Sequence, residues 1–228
     1  MTRLLVHVEG QTEEQFVNEV LAPYLYNVGY TLVSPRLVGA ARSRIRRGGI
    51  CGWPTAKNEI YKHLSGDKEA LATTFVDFYA LPKSGSGLWP GRDNCDHLLT
   101  LDKPTHVAAR LMDDFSSDYA WDVSSRFIPY VAMHEFEALL FSHPERMASA
   151  FGRVDLAPHF QNIRDLYPTP EHINDSPQTA PSKRIIGLMP KYDKVLMGNL
   201  AAIDITLDTM RAECAGFNSW LEALENAA

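Results

Sequence analysis

The sequence predicts an α/β fold, a mainly parallel sheet flanked by helices, with a helical C-terminal part. Short apolar runs alternate with segments of helical periodicity as far as Phe141, which implies parallel strands joined by crossovers. The first candidate strand is almost continuously apolar, as in a strand covered on both faces. From Ser182 onward the pattern is helical. The 228 residues suffice for one such unit. Residues 1–145 are expected to form the α/β core, and 146–228 a helical extension packed on it.

In order, Arg3–Glu9 reads as the first strand, through Leu4, Leu5, Val6 and Val8. Gly10 breaks it. Thr12 with Gln15 three residues on matches a capping box, and Phe16, Val20, Leu21, Tyr24, Leu25 and Val28 recur at helical spacing. Tyr30–Val38 is a second strand interrupted by Pro35. Gly39–Trp53 is a basic, glycine-containing loop, and Pro54–Leu64 a helix. Leu71–Tyr79 is a third strand and Leu81–Asp96 a Gly/Pro/Ser-rich loop. A helix spans Pro104–Phe115. Arg126–Met133 is a fourth strand running into a short helix, His134–Phe141. Tyr167–Pro181 is a proline-rich loop, and Trp220, Leu221 and Leu224 should pack the last helix down.

No apolar run is long enough to span a membrane. Leu4–Val8 is too short for an export signal, and Cys51, Cys95 and Cys214 form no CxxC pair. Reduced thiols and a cytoplasmic location are therefore expected, without structural zinc. Net charge is −6, yet Arg36–His63 holds seven arginines and lysines (Arg36, Arg42, Arg44, Arg46, Arg47, Lys57, Lys62) against Glu59 alone. Such asymmetry suggests a cationic surface on an acidic body. Arg42, Arg44, Arg46, Arg47 and Lys57 are its candidate nucleic-acid contacts, and a solvated loop is the plainer alternative.

Three strands end in acids: Glu9 after the first, Asp77 near the end of the third, Glu135 and Glu137 just past the fourth. In a parallel sheet these ends share one edge, where ligands collect. Carboxylates gathered there need a positive partner, and Mg²⁺ or Mn²⁺ with oxygen ligands is the natural one beside a phosphate. Each acid also has a plain reading. Glu13 and Glu14 suit the first turn of a helix through its dipole, Asp77 or Glu135 could cap a helix, and Glu137 could face solvent. His134 reads equally well as a structural or a catalytic histidine. Lys183 follows the proline loop near a helix start, where backbone amides also favour phosphate. Trp53 suits packing better than base stacking.

The stretch VEGQTEEQFV (residues 8–17) resembles the opening motif of Toprim domains, the fold of topoisomerases, primases and OLD-family nucleases. Together with VDFYALP, HEFEALLF and PSKRI…PKYDK, it resembles the uncharacterised bacterial DUF4276 family over roughly residues 3–195. That resemblance implies a Toprim-like fold related to OLD proteins. It makes Glu9 the Toprim glutamate, a metal ligand and general acid or base, and Glu13 the second acid of that motif. Asp77 is the first aspartate of Asp-x-Asp, but Tyr79 stands where the second would be. A phenol with an unperturbed pKa of about 10 is a poor Mg²⁺ ligand, so Glu135 or Glu137 would complete the set. Lys194, in KYDK, is the family-matching lysine.

The expected function is a Mg²⁺-dependent phosphodiesterase acting on DNA or RNA. Glu9, Glu13, Asp77, Glu135 and Glu137 would bind metal, and Glu9, Asp77, Lys183 and Lys194 would carry the chemistry. OLD relatives work beside an ATPase in bacterial defence or mobile elements; without a Walker A motif here, that ATPase would be a separate chain. Two alternatives stand beside this reading: a non-catalytic module binding nucleic acid or a partner, and a nucleotide phosphohydrolase.

Overall fold

The structure, a computed structural model, describes residues 2–39, 50–173 and 178–228. Its centre is a parallel sheet of strands β1 (Arg3–Val8), β2 (Leu32–Leu37), β3 (Ala70–Asp77), β4 (Phe127–Ile128) and β5 (Val131–Ala132). The order is β2-β1-β3-β4, and β5 pairs with the last residues of β3. Every pairing is parallel, as the alternation of strands and helices predicts. Pro35 is tolerated because β2 is an edge strand. The expected fourth strand is two short pieces, separated by Pro129 and Tyr130.

Two apolar layers cover the sheet because successive strand residues point to opposite faces. Leu4, Val6, Val8 and Phe75 pack on one side with α1 (Gln11–Phe16), a π-helical turn (Val17–Leu21), α2 (Ala22–Val28) and the C-terminal helices. Leu5, Ala72 and Val76 pack on the other with α3 (Trp53–Gly66) and α4 (Asp102–Asp118). Trp53 is buried in that second layer, which is the packing role.

The C-terminal segment folds as α6 (Pro144–Ala150), α7 (Ala157–Arg164), α8 (Pro181–Leu188), α9 (Lys194–Ile205), α10 (Leu207–Glu213) and α11 (Ala215–Glu225), after the short α5 (Trp121–Ser124). In α11, Trp220 stacks on Tyr130 at 4.5 Å and 8°, and its Nε1 donates to Thr73 Oγ1 at 2.9 Å. The helical region thereby shares its core with the sheet. Among the described residues, no helix is long and apolar enough to cross a membrane. Cys51, Cys95 and Cys214 are free thiols.

Register places the site. Val8 lies level with Phe75 and Asp77 level with Ala132, so Glu9, Asp77 and His134–Glu135 leave the sheet at one edge. The chain passes from β1 to β2 on one side, then to β3 on the other. The crevice between the carboxyl ends of β1 and β3 is therefore a topological switch point, where open α/β sheets bind ligands.

Candidate functional site

The turn after β1 differs from the capping box that Thr12 and Gln15 predict. Gly10 is the N-cap, and its backbone N–H donates to Glu13 Oε2 at 3.0 Å. A Cβ on Gly10 would lie 3.3 Å from that oxygen, so glycine admits the carboxylate. Glu13 is thus folded back and buried rather than left on a solvent-facing helix turn.

Asp77 closes β3, and its Oδ1 accepts the Phe136 backbone N–H at 3.1 Å. That bond ties the third strand to the segment after β5. The short helix expected over His134–Phe141 is a 3₁₀ helix, Phe136–Ser142, and all seven of its residues are buried. Glu137 is therefore enclosed, not solvent-facing. Glu135 turns away: its Oε2 accepts the Ser182 N–H at 3.1 Å, at the start of α8. The helix N-terminus proposed for phosphate is held by the chain's own carboxylate.

Lys194 opens α9 and reaches the acids. Its Nζ lies 3.1 Å from Glu137 Oε2, 3.7 Å from Glu13 Oε1 and 3.8 Å from Asp77 Oδ2, while 37% of its side chain stays exposed. Gly198 lets α9 lie close to the turn that carries Glu137, since a Cβ there would stand 3.3 Å from the Phe136 ring and 2.7 Å from Tyr192 Oη. Asn199 adds a tie from α9 to α1, donating to Thr12 O at 3.2 Å.

Three carboxylates, on Glu13, Asp77 and Glu137, thus share one ammonium, and Glu9 feels its charge from further away. Burial first, and then the neighbouring Glu13, push the Glu9 carboxyl up to about 7, against the pull of Lys194 and the Asp77 amide. Burial likewise pushes Glu137 up to about 7, with Lys194 opposing. Asp77 rises well above its ordinary value through burial, opposed by Lys194 and reinforced by Glu13, Glu9 and Glu137. Burial alone would lower Lys194, but Glu137, Asp77 and Glu13 outweigh it and its pKa rises. The ammonium is therefore a fixed positive charge. Glu9, Asp77 and Glu137 answer their crowding by holding protons more tightly, since buried like charges cannot all ionise uncompensated.

Two buried oxygens, Glu9 Oε2 and Glu137 Oε1, have no hydrogen-bond partner among the described residues. Glu137 Oε2 is close to Lys194 as an ion pair but is not aligned as a hydrogen bond. As the side chains stand, no group of three or more His, Cys, Asp or Glu among the described residues is arranged to hold a metal ion. Lys194 occupies the space between the acids.

Beside the acids sits a histidine whose burial the sequence does not signal. His134 is 2% exposed, stacks on Tyr79 at 5.0 Å and 16°, and has both ring nitrogens without a partner among the described residues. Burial, aided by Lys103 and His172, lowers its pKa to about 4, so the ring is neutral at physiological pH.

The remaining predicted residues lie apart. Lys183 is exposed on α8 and makes no ion pair with a described residue. Lys57, expected on a cationic surface, is buried, and its Nζ is committed to Asp114 at 2.6 Å and Asp118 at 2.7 Å. Arg42, Arg44, Arg46 and Arg47 fall outside the described residues. Lys194 is the residue whose weight the sequence understates, because an exposed helical lysine and a buried counterion look alike in one dimension.

A family model described as a domain of unknown function (DUF4276) matches residues 8–225. The chain belongs to the DUF4276 family. The match takes in every member of the acid–lysine cluster, Glu9, Glu13, Asp77, Glu137 and Lys194. No curated protein and no solved structure matches this DUF4276 chain.

Proposed function

We propose that this DUF4276 chain is a Toprim-like, metal-dependent phosphodiesterase acting on DNA or RNA in the cytoplasm. The observation that carries the reading is the convergence of Glu13, Asp77 and Glu137 on Lys194 at the switch point of a parallel sheet.

The donor set suits a hard divalent cation. Glu9, Glu13, Asp77 and Glu137 would hold it, with Glu9 Oε2 and Glu137 Oε1 buried and still without partners. Protons retained near neutrality are what a divalent cation displaces when it binds carboxylates. When bound, Mg²⁺ or Mn²⁺ would supply Lewis-acid polarisation of a phosphoryl oxygen. Lys194, a permanent cation partly open to solvent, would steady an incoming phosphate through charge. Glu9, with a carboxyl near 7, is suited to accept or return a proton at neutral pH. Glu135 would order the site by fixing α8 through Ser182.

Arg42, Arg44, Arg46 and Arg47 remain the proposed backbone contacts, with a sequence-independent, salt-weakened contribution. A separate ATPase partner in bacterial defence is the further proposal that the OLD resemblance adds.

A second reading has its own observation. Lys194 already stands among the acids, and Tyr79 replaces the second aspartate that the Toprim resemblance calls for. Both favour a binding module without catalysis.

The test uses labelled single- and double-stranded DNA, RNA and mononucleotides, with and without Mg²⁺ or Mn²⁺. Wild type is compared with Glu9→Gln and Asp77→Asn. Metal-dependent cleavage lost in both variants supports the phosphodiesterase. Salt-sensitive binding that survives both, with no cleavage, replaces it with the module. Turnover of mononucleotides alone points to a nucleotide phosphohydrolase.

A further inference from the structure

The oxygens around Lys194 are divided between two tasks. Glu13 gives Oε2 to the Gly10 N–H, and Asp77 gives Oδ1 to the Phe136 N–H. The other oxygen of each carboxylate faces the Lys194 ammonium, Glu13 Oε1 at 3.7 Å and Asp77 Oδ2 at 3.8 Å. Glu137 adds Oε2 at 3.1 Å, while its Oε1 is buried without a partner among the described residues. Backbone amides thus hold two of the acids in place, and one oxygen from each of the three converges on a single cation position.

The lysine that fills this position is held loosely. Two of its three contacts are longer than a hydrogen bond, and the third is not aligned as one. Lys194 opens α9, the end of a helix where the dipole disfavours a cation. Its own first turn carries no acid, and the carboxylate of the N-cap, Asp193, accepts the Leu196 N–H at 3.0 Å. Charge, not hydrogen-bond geometry, keeps the ammonium among the acids. Its side chain is partly exposed and has a flexible four-carbon stem, so it can reach water with α9 at rest.

We propose that Lys194 is a tethered occupant of the cation site, and that its ammonium and a divalent metal ion hold the same carboxylate oxygens by turns, never together. The inference rests on the metal-dependent reading above and adds its regulation: Lys194 must swing toward solvent before the acids accept the metal. The reasons are distance and charge. The oxygens stand at ammonium distances, whereas Mg²⁺ requires its ligands at about 2.1 Å. Two positive charges on one set of oxygens repel strongly where little water screens them. Displaced but still tethered, Lys194 is then free to meet the phosphate. Because the state with Lys194 withdrawn is the minor one, the wild-type chain binds metal more weakly than its acids alone would.

The experiment measures Mg²⁺ affinity of the full chain by isothermal titration calorimetry at pH 8.5, where protons compete little for the acids. The proteins are wild type, Lys194→Met and Lys194→Arg, with thermal unfolding recorded for each. Lys194→Met removes the rival cation and should bind Mg²⁺ roughly 10- to 1000-fold more tightly, the span for a competent state populated at about 10% to 0.1%. Lys194→Arg keeps the charge and should show no such gain. In parallel, wild type and Glu9→Gln are briefly acylated with an N-hydroxysuccinimide ester, and labelling of each lysine is read by mass spectrometry. Without metal, Lys194 should label roughly tenfold or more slowly than the exposed Lys183, because its raised pKa leaves less free amine. Saturating Mg²⁺ should bring it close to Lys183 in wild type and leave it slow in Glu9→Gln.

Equal Mg²⁺ affinity of wild type and Lys194→Met overturns the exclusion and leaves the phosphodiesterase standing, as does Lys194 labelling that saturating Mg²⁺ does not change. An equal gain in Lys194→Arg also overturns it, because the charge is then not the rival. Mg²⁺ binding by Lys194→Met alone does the reverse: the ammonium is the rival cation, and the wild-type chain is the non-catalytic module. Absence of Mg²⁺ binding from all three proteins removes both.

Discussion

Glu137 offers the sharpest test of whether the acid cluster is a site or a structural ion pair. Its carboxyl is raised from 4.5 to about 7, and its side chain is fully enclosed. A group whose folded pKa lies above its unfolded value holds its proton more tightly in the native state. Stability from that proton is complete below the unfolded pKa and is lost as pH rises toward the folded one. Between pH 4.5 and about 7 the native state is therefore progressively destabilised by Glu137. At ~1.4 kcal/mol for each tenfold difference in proton affinity, full ionisation costs folding ~3 kcal/mol.

Glu137→Gln keeps the shape of the protonated acid and removes the ionisation. The attraction of Lys194 is already contained in the pKa near 7, so it is not a separate term. The variant should be ~3 kcal/mol more stable than wild type at pH 8, but by less than ~1 kcal/mol at pH 5. For a chain of this size that is a gain of about 6–12 °C in Tm at pH 8. Urea unfolding in EDTA at the two pH values measures it. A variant less stable than wild type at pH 8 would refute the reasoning, because Glu137 would then be a net stabilising partner of Lys194.

Four further outcomes follow from the same geometry. Mg²⁺ at a hundred times its dissociation constant should stabilise wild type by ~2.7 kcal/mol, seen as a Tm rise that Glu9→Gln abolishes. Lys194→Met should leave Glu13, Asp77 and Glu137 without their cation and destabilise by less than the ~3–5 kcal/mol of a fully buried pair; the deficit, read by urea unfolding, should widen from pH 6 to 8 as retained protons must be released. His7, whose pKa burial and His63 lower from 6.5 to about 3, stabilises above 6.5 and should cost ~1.4 kcal/mol per pH unit as pH falls below it; His7→Leu should remove that slope in acid-unfolding curves, whatever its cost at neutral pH. Trp220→Ala should cost ~3–5 kcal/mol and shift one cooperative unfolding transition as a whole, because Trp220 packs the C-terminal helix on the sheet.

The parallel sheet and the acids at its edge were legible because both are local signals. An apolar run that stops at a carboxylate marks a strand end, and β1 and β3 end that way. The cap after β1 obeys the expected three-residue rule but two positions earlier, at Gly10 and Glu13 instead of Thr12 and Gln15. Side-chain preference favours threonine there, yet glycine leaves room for the Glu13 carboxylate, which a Cβ would crowd at 3.3 Å. The fourth strand read as one piece because Pro129 interrupts it without ending its direction.

Glu137 shows why the site itself was harder to read. With 3.6 residues per turn, HEFEALLF can turn Glu137 away from Phe136 and toward water. In the 3₁₀ helix that forms, residues three apart eclipse, so Glu137 lies over Leu140, and the whole turn is enclosed. The hydrogen bond from Phe136 N–H to Asp77 tightens that turn, and it joins segments 59 residues apart. Lys194 is more remote still, brought in by the close approach of α9 at Gly198. Acids at strand ends are written into the chain one strand at a time. Whether they repel, protonate or take up a cation depends on a lysine that only the packing of α9 delivers. That is why the acid positions could be read from the sequence, while the charge state that decides their chemistry could not.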